Sequence, residues 1–323
     1  MIPSRMYGFV RSRQLEGTFP GSPETGVWAS TAMRIGKGWG TLEESQWPFV
    51  GDASNWPPSE PEGLDHLAKA HRILAYQRAS TIEECRVLIY RQYGVIAAFE
   101  IDDSWRRPPK GVIEEPCDQP ITASHAVHLI GYNDATQRFT FWNCWGREWG
   151  DGGLGYLPYS YFRGRLLEGW NFTPHDSFPI PKDSDQIKSR TWQINDWLGN
   201  ILHGAEIVDP LLNEVIAWGF AIEGRSAFLE LEELFVRPNW RMRGYASQLT
   251  THFSQLAARL KKQIRAWIPH SDAGGLDQLP LNAVLPRLGL SRNPSPERWA
   301  AAIGIPNIFL DFWLRRKTMK NES

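Results

Sequence analysis

SHAVHLIGYND (124–134) and, after a short gap, NCWGREWGDGG (143–153) decide how the first half of this chain is read. HAVHLIGY and RFTFWNCW each have the alternation of a strand, and Asn133-Asp134-Ala135-Thr136 between them has hairpin-turn composition. The order is a histidine in an apolar strand, a turn, a second strand, then an asparagine followed by Trp-Gly and Trp-Gly-x-x-Gly. A thiol or hydroxyl that attacks an amide needs a base to take its proton and later return it to the leaving amine. Imidazole does this because its pKa lies near neutrality. A third group fixes the ring's tautomer and orientation. His125 is the candidate base.

Upstream, IEECRVLIYRQYG has apolar residues at helical spacing and predicts a helix ending at Gly94. VIAAFEI predicts a strand, and YLPYSYF completes the unit. Before it, residues 1–62 alternate short helical stretches with Gly/Pro turns, and WPFVGDASNWPPSEPEG predicts an irregular loop.

Over about residues 4–162 the chain resembles the papain-like cysteine peptidases. The resemblance rests on His125, on Asn143-Cys144-Trp145-Gly146 and Trp149-Gly150, and upstream on SRMYGFVRSRQLEGT and TGVWASTAMRIGKGWGTLEESQWPF. It implies an α+β papain-like domain in which Trp145 shields the His125–Asn143 bond. Such sites keep the nucleophilic Cys near the mature N-terminus, with His and Asn roughly 130–150 residues downstream. Counting back from His125 reaches a point before Met1, so the expectation is a domain lacking its Cys segment by truncation or mis-start. Cys85 in a helix, Cys117 in a loop and Cys144 beside Asn143 do not fit the nucleophile's place. Gln14 has no Gly-x-Cys after it and takes no oxyanion role. His128, in an H-x-x-H with His125, is read as structural, and no metal is expected.

The 323 residues allow two domains. A hydrophobic content of 42%, a charged content of 22% and a net charge of −1 describe an ordinary soluble protein, with no field to argue for nucleic acid or membrane. Three scattered Cys and no signal-like apolar start predict reduced thiols and a cytoplasmic setting. Pro, Asp and Ser in WNFTPHDSFPIPKDSDQIKSR predict a linker over 169–190 between a first domain at 1–168 and a second at 191–316, with a tail at 317–323.

In the second half, GNILHGAEIVDP, EVIAWGFAIEG, AFLELEELFV and QIRAWIP predict strands, with a turn at Asp209-Pro210…Asn213. SQLTTHFSQLAARLKK predicts an amphipathic helix with Leu249, Phe253, Leu256, Ala257 and Leu260 on one face. LNAVLPRLGL predicts a short helix. Strand, helix, strand is an α/β pattern. Arg241-Met242-Arg243-Gly244-Tyr245-Ala246, between strand and helix, resembles the acyl-CoA signature of GNAT acetyltransferases. A helix N-terminus offers free N–H groups and a positive dipole end to an anion. The resemblance implies an acetyl-CoA site formed by Leu234, Val236, Arg241, Met242, Arg243, Gly244, Tyr245, Ala246, Ser247 and Asn282, with Glu232 as the base that deprotonates an amine. Leu285 stands where the family commonly has a tyrosine acid.

The main expectation is therefore N-acetyl transfer from acetyl-CoA to an amine of a peptide, protein or small molecule, beside an inactive papain-like domain that binds peptide. Two alternatives stand: a papain-like cysteine peptidase, or a non-catalytic peptide-binding module.

Overall fold

A computed structural model describes residues 2–50, 55–91, 94–116, 120–174, 187–196, 198–241 and 243–266, and the backbone of 299–302 and 309–312. The chain divides into two compact units, one of 76–173 and one of 1–75 with 174–323.

In the first of these units, Thr81 starts a helix by a capping box: its hydroxyl accepts from Glu84 N (3.1 Å), and the Glu84 carboxylate accepts from Thr81 N (2.9 Å). The helix, Ile82–Tyr90, buries Ile82, Cys85, Leu88 and Ile89, the i, i+3, i+7 stripe of an amphipathic helix. It stops before Gly94, with Arg91 at its C-cap. Strand Val95–Ile101 buries Val95, Ala97, Phe99 and Ile101 in strict alternation. It pairs antiparallel with Ala123–Asn133, so that Val95, Ala97 and Phe99 lie opposite Leu129, Val127 and His125. His125 thus ends a core-facing row. The next strands are Arg138–Trp142 and Leu154–Pro158. The turn before the former follows the sequence: Asn133 Oδ1 accepts from Ala135 N (3.0 Å) and Thr136 N (3.2 Å), an Asx turn.

YLPYSYF is not one element. YLP ends a strand, and Tyr159–Arg165 is a helix burying Tyr159, Tyr161 and Phe162. Nor is the stretch after it linker from residue 169: Leu166–Pro174 is a strand, with Trp170 buried against Tyr76 at 5.9 Å between ring centroids. With Ile73–Arg78 numbered β1 and the others β2 to β6 in chain order, the sheet order is β1-β6-β2-β3-β4-β5.

The second unit combines three helices from the start of the chain, α1 (Arg5–Leu15), α2 (Ala29–Gly38) and α3 (Leu64–Ala68), with a sheet from its second half. That sheet runs β11-β10-β9-β8-β7, from β7 (Lys188–Asn195), β8 (Ile201–Asp209), β9 (Glu214–Glu223), β10 (Phe228–Val236) and β11 (Gln263–Ala266). Neighbours are antiparallel except β10 and β11, which are parallel and joined through the helix Tyr245–Leu260. A parallel pair needs such a crossover. The predicted stripe Leu249, Phe253, Leu256 and Ala257 is buried, with Leu260 packed beside it, against Ala205, Ala217, Leu229 and Ile264. Close approach requires Gly219: a Cβ there would stand 2.5 Å from the Phe253 ring. The other face of β9 meets α2, where a Cβ on Gly38 would lie 2.9 Å from Trp218. The two helices therefore cover opposite faces of this sheet. The strand β7 is absent from the sequence reading. It is an edge strand whose residues are nearly all exposed or half-buried, so its apolar signal is only Trp192 and Ile194. The predicted helix LNAVLPRLGL, Asn282, Met242, Cys117 and the tail lie outside the described residues. Among the described residues no helix is long and apolar enough to cross a membrane.

Candidate active site

Asn143 continues the inward row of Phe139 and Phe141, two fully buried rings of β4 (Arg138–Trp142). Beyond it the chain closes a glycine-rich turn. Asn143 N donates to Gly153 O (3.0 Å), Gly153 N to Trp149 O (2.8 Å), and Asp151 N to Leu154 O (2.9 Å). Gly150 has φ +62, and a Cβ there would lie 2.4 Å from Leu154 O. The Trp-Gly-x-x-Gly spacing is therefore a backbone requirement, because side chains rarely adopt this conformation and none fits.

The turn delivers Asn143 to His125, which the β3 register holds at the end of its core-facing row. His125 Nε2 lies 2.9 Å from Asn143 Oδ1. An amide oxygen only accepts, so Nε2 carries the proton and Nδ1 keeps a free lone pair. Three indoles fix the ring. Trp145 stacks on it at 4.5 Å and 28°. Trp105 meets it edge to face at 6.1 Å and 84°. Trp149 ties the other two together: it packs edge-on to Trp145 at 5.7 Å, and its Nε1 donates to Trp105 O (2.7 Å).

Burial pushes the His125 pKa below its ordinary value, and the hydrogen bond to Asn143 only partly opposes this. At neutral pH the ring is an uncharged base. The His125 ring is expected to titrate below pH 6.5 in a proton NMR series; a midpoint above that value would contradict the burial argument. Because the folded value is the lower one, this contribution to stability is complete above about pH 6.5 and is lost as pH falls toward the folded midpoint.

Of the thiols, Cys85 is buried in the helix Ile82–Tyr90 (α4), and burial pushes its pKa up, which keeps it protonated and inert. Cys144 is exposed beside Asn143. His128 pairs with Trp142, and its side chain takes the opposite face of β3 from His125. Among the described residues no group of three or more His, Cys, Asp or Glu is placed to hold a metal.

The second predicted site has a different character. Glu232 falls at a register irregularity between Leu231 and Glu233, where the strand's two-residue alternation is interrupted. Glu233 is buried in an ion pair with Arg34. Val236 pairs with Ala217 across the sheet, and its carbonyl accepts from Arg241 Nε (3.2 Å). Arg243 lies over the Trp240 ring at 4.8 Å. Leu234, Tyr245 and Ala246 pack against the sheet core. Gly244 is left-handed at φ +84 at the helix N-cap, and Ser247 is exposed. Arg241 and Arg243 thus each contact their own loop.

Comparison with known proteins gives a consistent answer. Residues 24–162 match the papain family cysteine protease model. An uncharacterized peptidase C1-like protein of Acanthamoeba polyphaga mimivirus is 23% identical over 205 residues, which cover 55% of this chain and 64% of that protein. A cysteine protease of Blomia tropicalis is 28% identical over 123 residues, covering 36% of this chain and 35% of that protein. The chain thus spans less than two thirds of either relative. Among solved structures, xylellain, a cysteine protease from Xylella fastidiosa, aligns with a TM-score of 0.48 and 22% identity, over 53% of this chain and 69% of that one. The matched family model and these two relatives overturn the expectation of acetyl transfer: what they resemble is cysteine peptidase, and an acetyltransferase fusion has no support among them. The N-terminal region of about 160 residues has a papain-like α+β fold, and its residues 24–162 are similar to the papain family cysteine proteases.

Proposed function

We propose that the protein hydrolyses peptide bonds as a papain-like cysteine peptidase, with His125 as general base and acid and Asn143 as the group that orients it. The observation that carries this is the 2.9 Å bond from His125 Nε2 to Asn143 Oδ1 beneath the stacked Trp145. Its chemical consequence is specific. The bond commits the Nε2 proton to Asn143, so Nδ1 is the ring atom left to take a proton from a nucleophile and return it to the departing amine. Trp145 and Trp105 keep water from the bond, which holds the ring in one tautomer through both transfers.

The test is hydrolysis of a mixed fluorogenic peptide library by the protein. Turnover is expected to vanish in His125→Ala and to fall about a hundredfold or more in Asn143→Ala. Single Cys→Ser changes at Cys117 and Cys144, beside alkylation with iodoacetamide, test whether either supplies the thiol. No hydrolysis, or turnover unchanged in His125→Ala, overturns the reading.

A further inference from the structure

The peptidase chemistry of His125 and Asn143 draws on no residue of the second unit's sheet. On the face toward α2, register places Arg190, Glu206 and Trp218 in one row across β7, β8 and β9, and Trp192, Gly204 and Phe220 in the next. Gly204 has no side chain, and this shapes the surface. A Cβ there would stand 2.2 Å from Trp192, so the indole lies flat over Gly204, with its ring centroid 5.7 Å from that of Phe220. Trp218 lies beside Phe235 at 4.6 Å, which extends the aromatic floor toward β10.

Two carboxylates stand in this floor. Glu206 is fully buried and is held by its own sheet: Arg190 Nε donates to Oε2 (2.5 Å) and Trp192 Nε1 to Oε1 (3.0 Å). Its position is therefore set without α2. Glu233 is the second, beside Phe235. The helix α2 answers both. Lys37 Nζ donates to Glu206 Oε1 while lying 5.9 Å from the Trp192 centroid and 5.8 Å from that of Phe220. One turn earlier, Arg34 grips both oxygens of Glu233 (3.1 and 3.4 Å) with its guanidinium over Phe235 at 5.4 Å. Gly38, next to Lys37, is the residue that lets the helix reach Trp218.

A carboxylate with aromatic faces is the arrangement that recognises an ammonium once water is excluded. A planar guanidinium suits a carboxylate approached by two N–H groups and an aromatic face. The two sites lie three residues apart on one helix, so together they read Arg-x-x-Lys-Gly in helical form. We propose that this sheet face is a recognition surface for a basic amphipathic helix of that pattern, and that α2 of the same chain is its resident ligand. The site is specific for the Lys ammonium and the Arg guanidinium, not for apolar helix surface in general.

The experiment supplies the helix in trans. A synthetic peptide of residues 24–41 is titrated into the full chain carrying Arg34→Met and Lys37→Met, with Trp fluorescence as readout. The expected result is that it binds at least tenfold tighter than the same peptide with both basic residues replaced by Met. Equal binding of the two, or none by either, overturns the proposal. Circular dichroism establishes that the variant is folded. Should it not fold, reductive methylation of the native chain decides: Lys37 is expected to be protected relative to the exposed Lys188 and Lys261, and to become reactive in excess native peptide. Labelling of Lys37 at the surface rate, or protection unchanged by peptide, overturns it.

Discussion

Trp105→Ala is expected to remove about 3–5 kcal/mol of stability and to free the His125 ring from its fixed orientation. Trp105 is fully buried and is the hub of the aromatic packing under the site. Its ring lies 5.2 Å from that of Phe141, 5.9 Å from Tyr161 and 6.3 Å from Phe99. Its carbonyl also anchors Trp149, which in turn backs Trp145. Truncation leaves a cavity among large rigid rings that have few ways to collapse into it, which puts the cost at the upper end for a core substitution. Trp105→Phe keeps a ring in place and is expected to lose markedly less. Urea unfolding gives the stability, and line widths of the His125 ring protons give its mobility. A loss under about 1 kcal/mol in Trp105→Ala would show that the indole is not the support described here.

The same residues show what the sequence discloses and what it hides. His125, Asn143 and the Trp-Gly spacing are legible because each element there obeys a local rule: a period of two in the strands, an Asx turn, and glycines where φ is positive. The stripe of Leu249, Phe253, Leu256 and Ala257 is legible for the same reason. Trp105 is not. It sits in a short 3₁₀ turn, Asp103–Trp105, whose sequence has no period, and only tertiary packing brings it to His125. The arginine loop at 241–246 misleads in the opposite way. Its place between a strand and a long helix is as expected, but loop shape alone does not fix its chemistry. Arg241 donates to Val236 O and Arg243 lies over the Trp240 ring, contacts that spacing does not encode. Lys37 is hidden for a third reason. On a helix wheel it looks like a solvated lysine, and its burial depends on Glu206, which lies 169 residues away in sequence.

Glu206→Leu is the second large effect, with an expected loss of about 3–5 kcal/mol at pH 7, because it leaves the Lys37 ammonium buried without a partner. Burial alone would raise the Glu206 pKa, yet Lys37 and Arg190 hold it down to about 2. Lys37 is almost wholly buried and cannot reach water, whereas the Arg190 side chain is 19% exposed and can rehydrate in part. The penalty therefore falls mainly on Lys37, and Lys37→Met in the same chain should recover a large share of it. The coupling between the two changes is expected at about 1–3 kcal/mol, favouring the double variant over the sum of the singles. Acid sharpens the test. A carboxyl whose folded pKa lies below its unfolded value stabilises fully above the unfolded value, about 4.5 here, and that contribution fades as pH falls toward about 2. Native protein should thus lose stability between pH 4.5 and 2 more steeply than Glu206→Leu, and urea unfolding at pH 7 and pH 3 measures both. Equal slopes in the two proteins, or a single-variant loss below about 1 kcal/mol, would mean that the ion pair is not what holds α2 to the sheet.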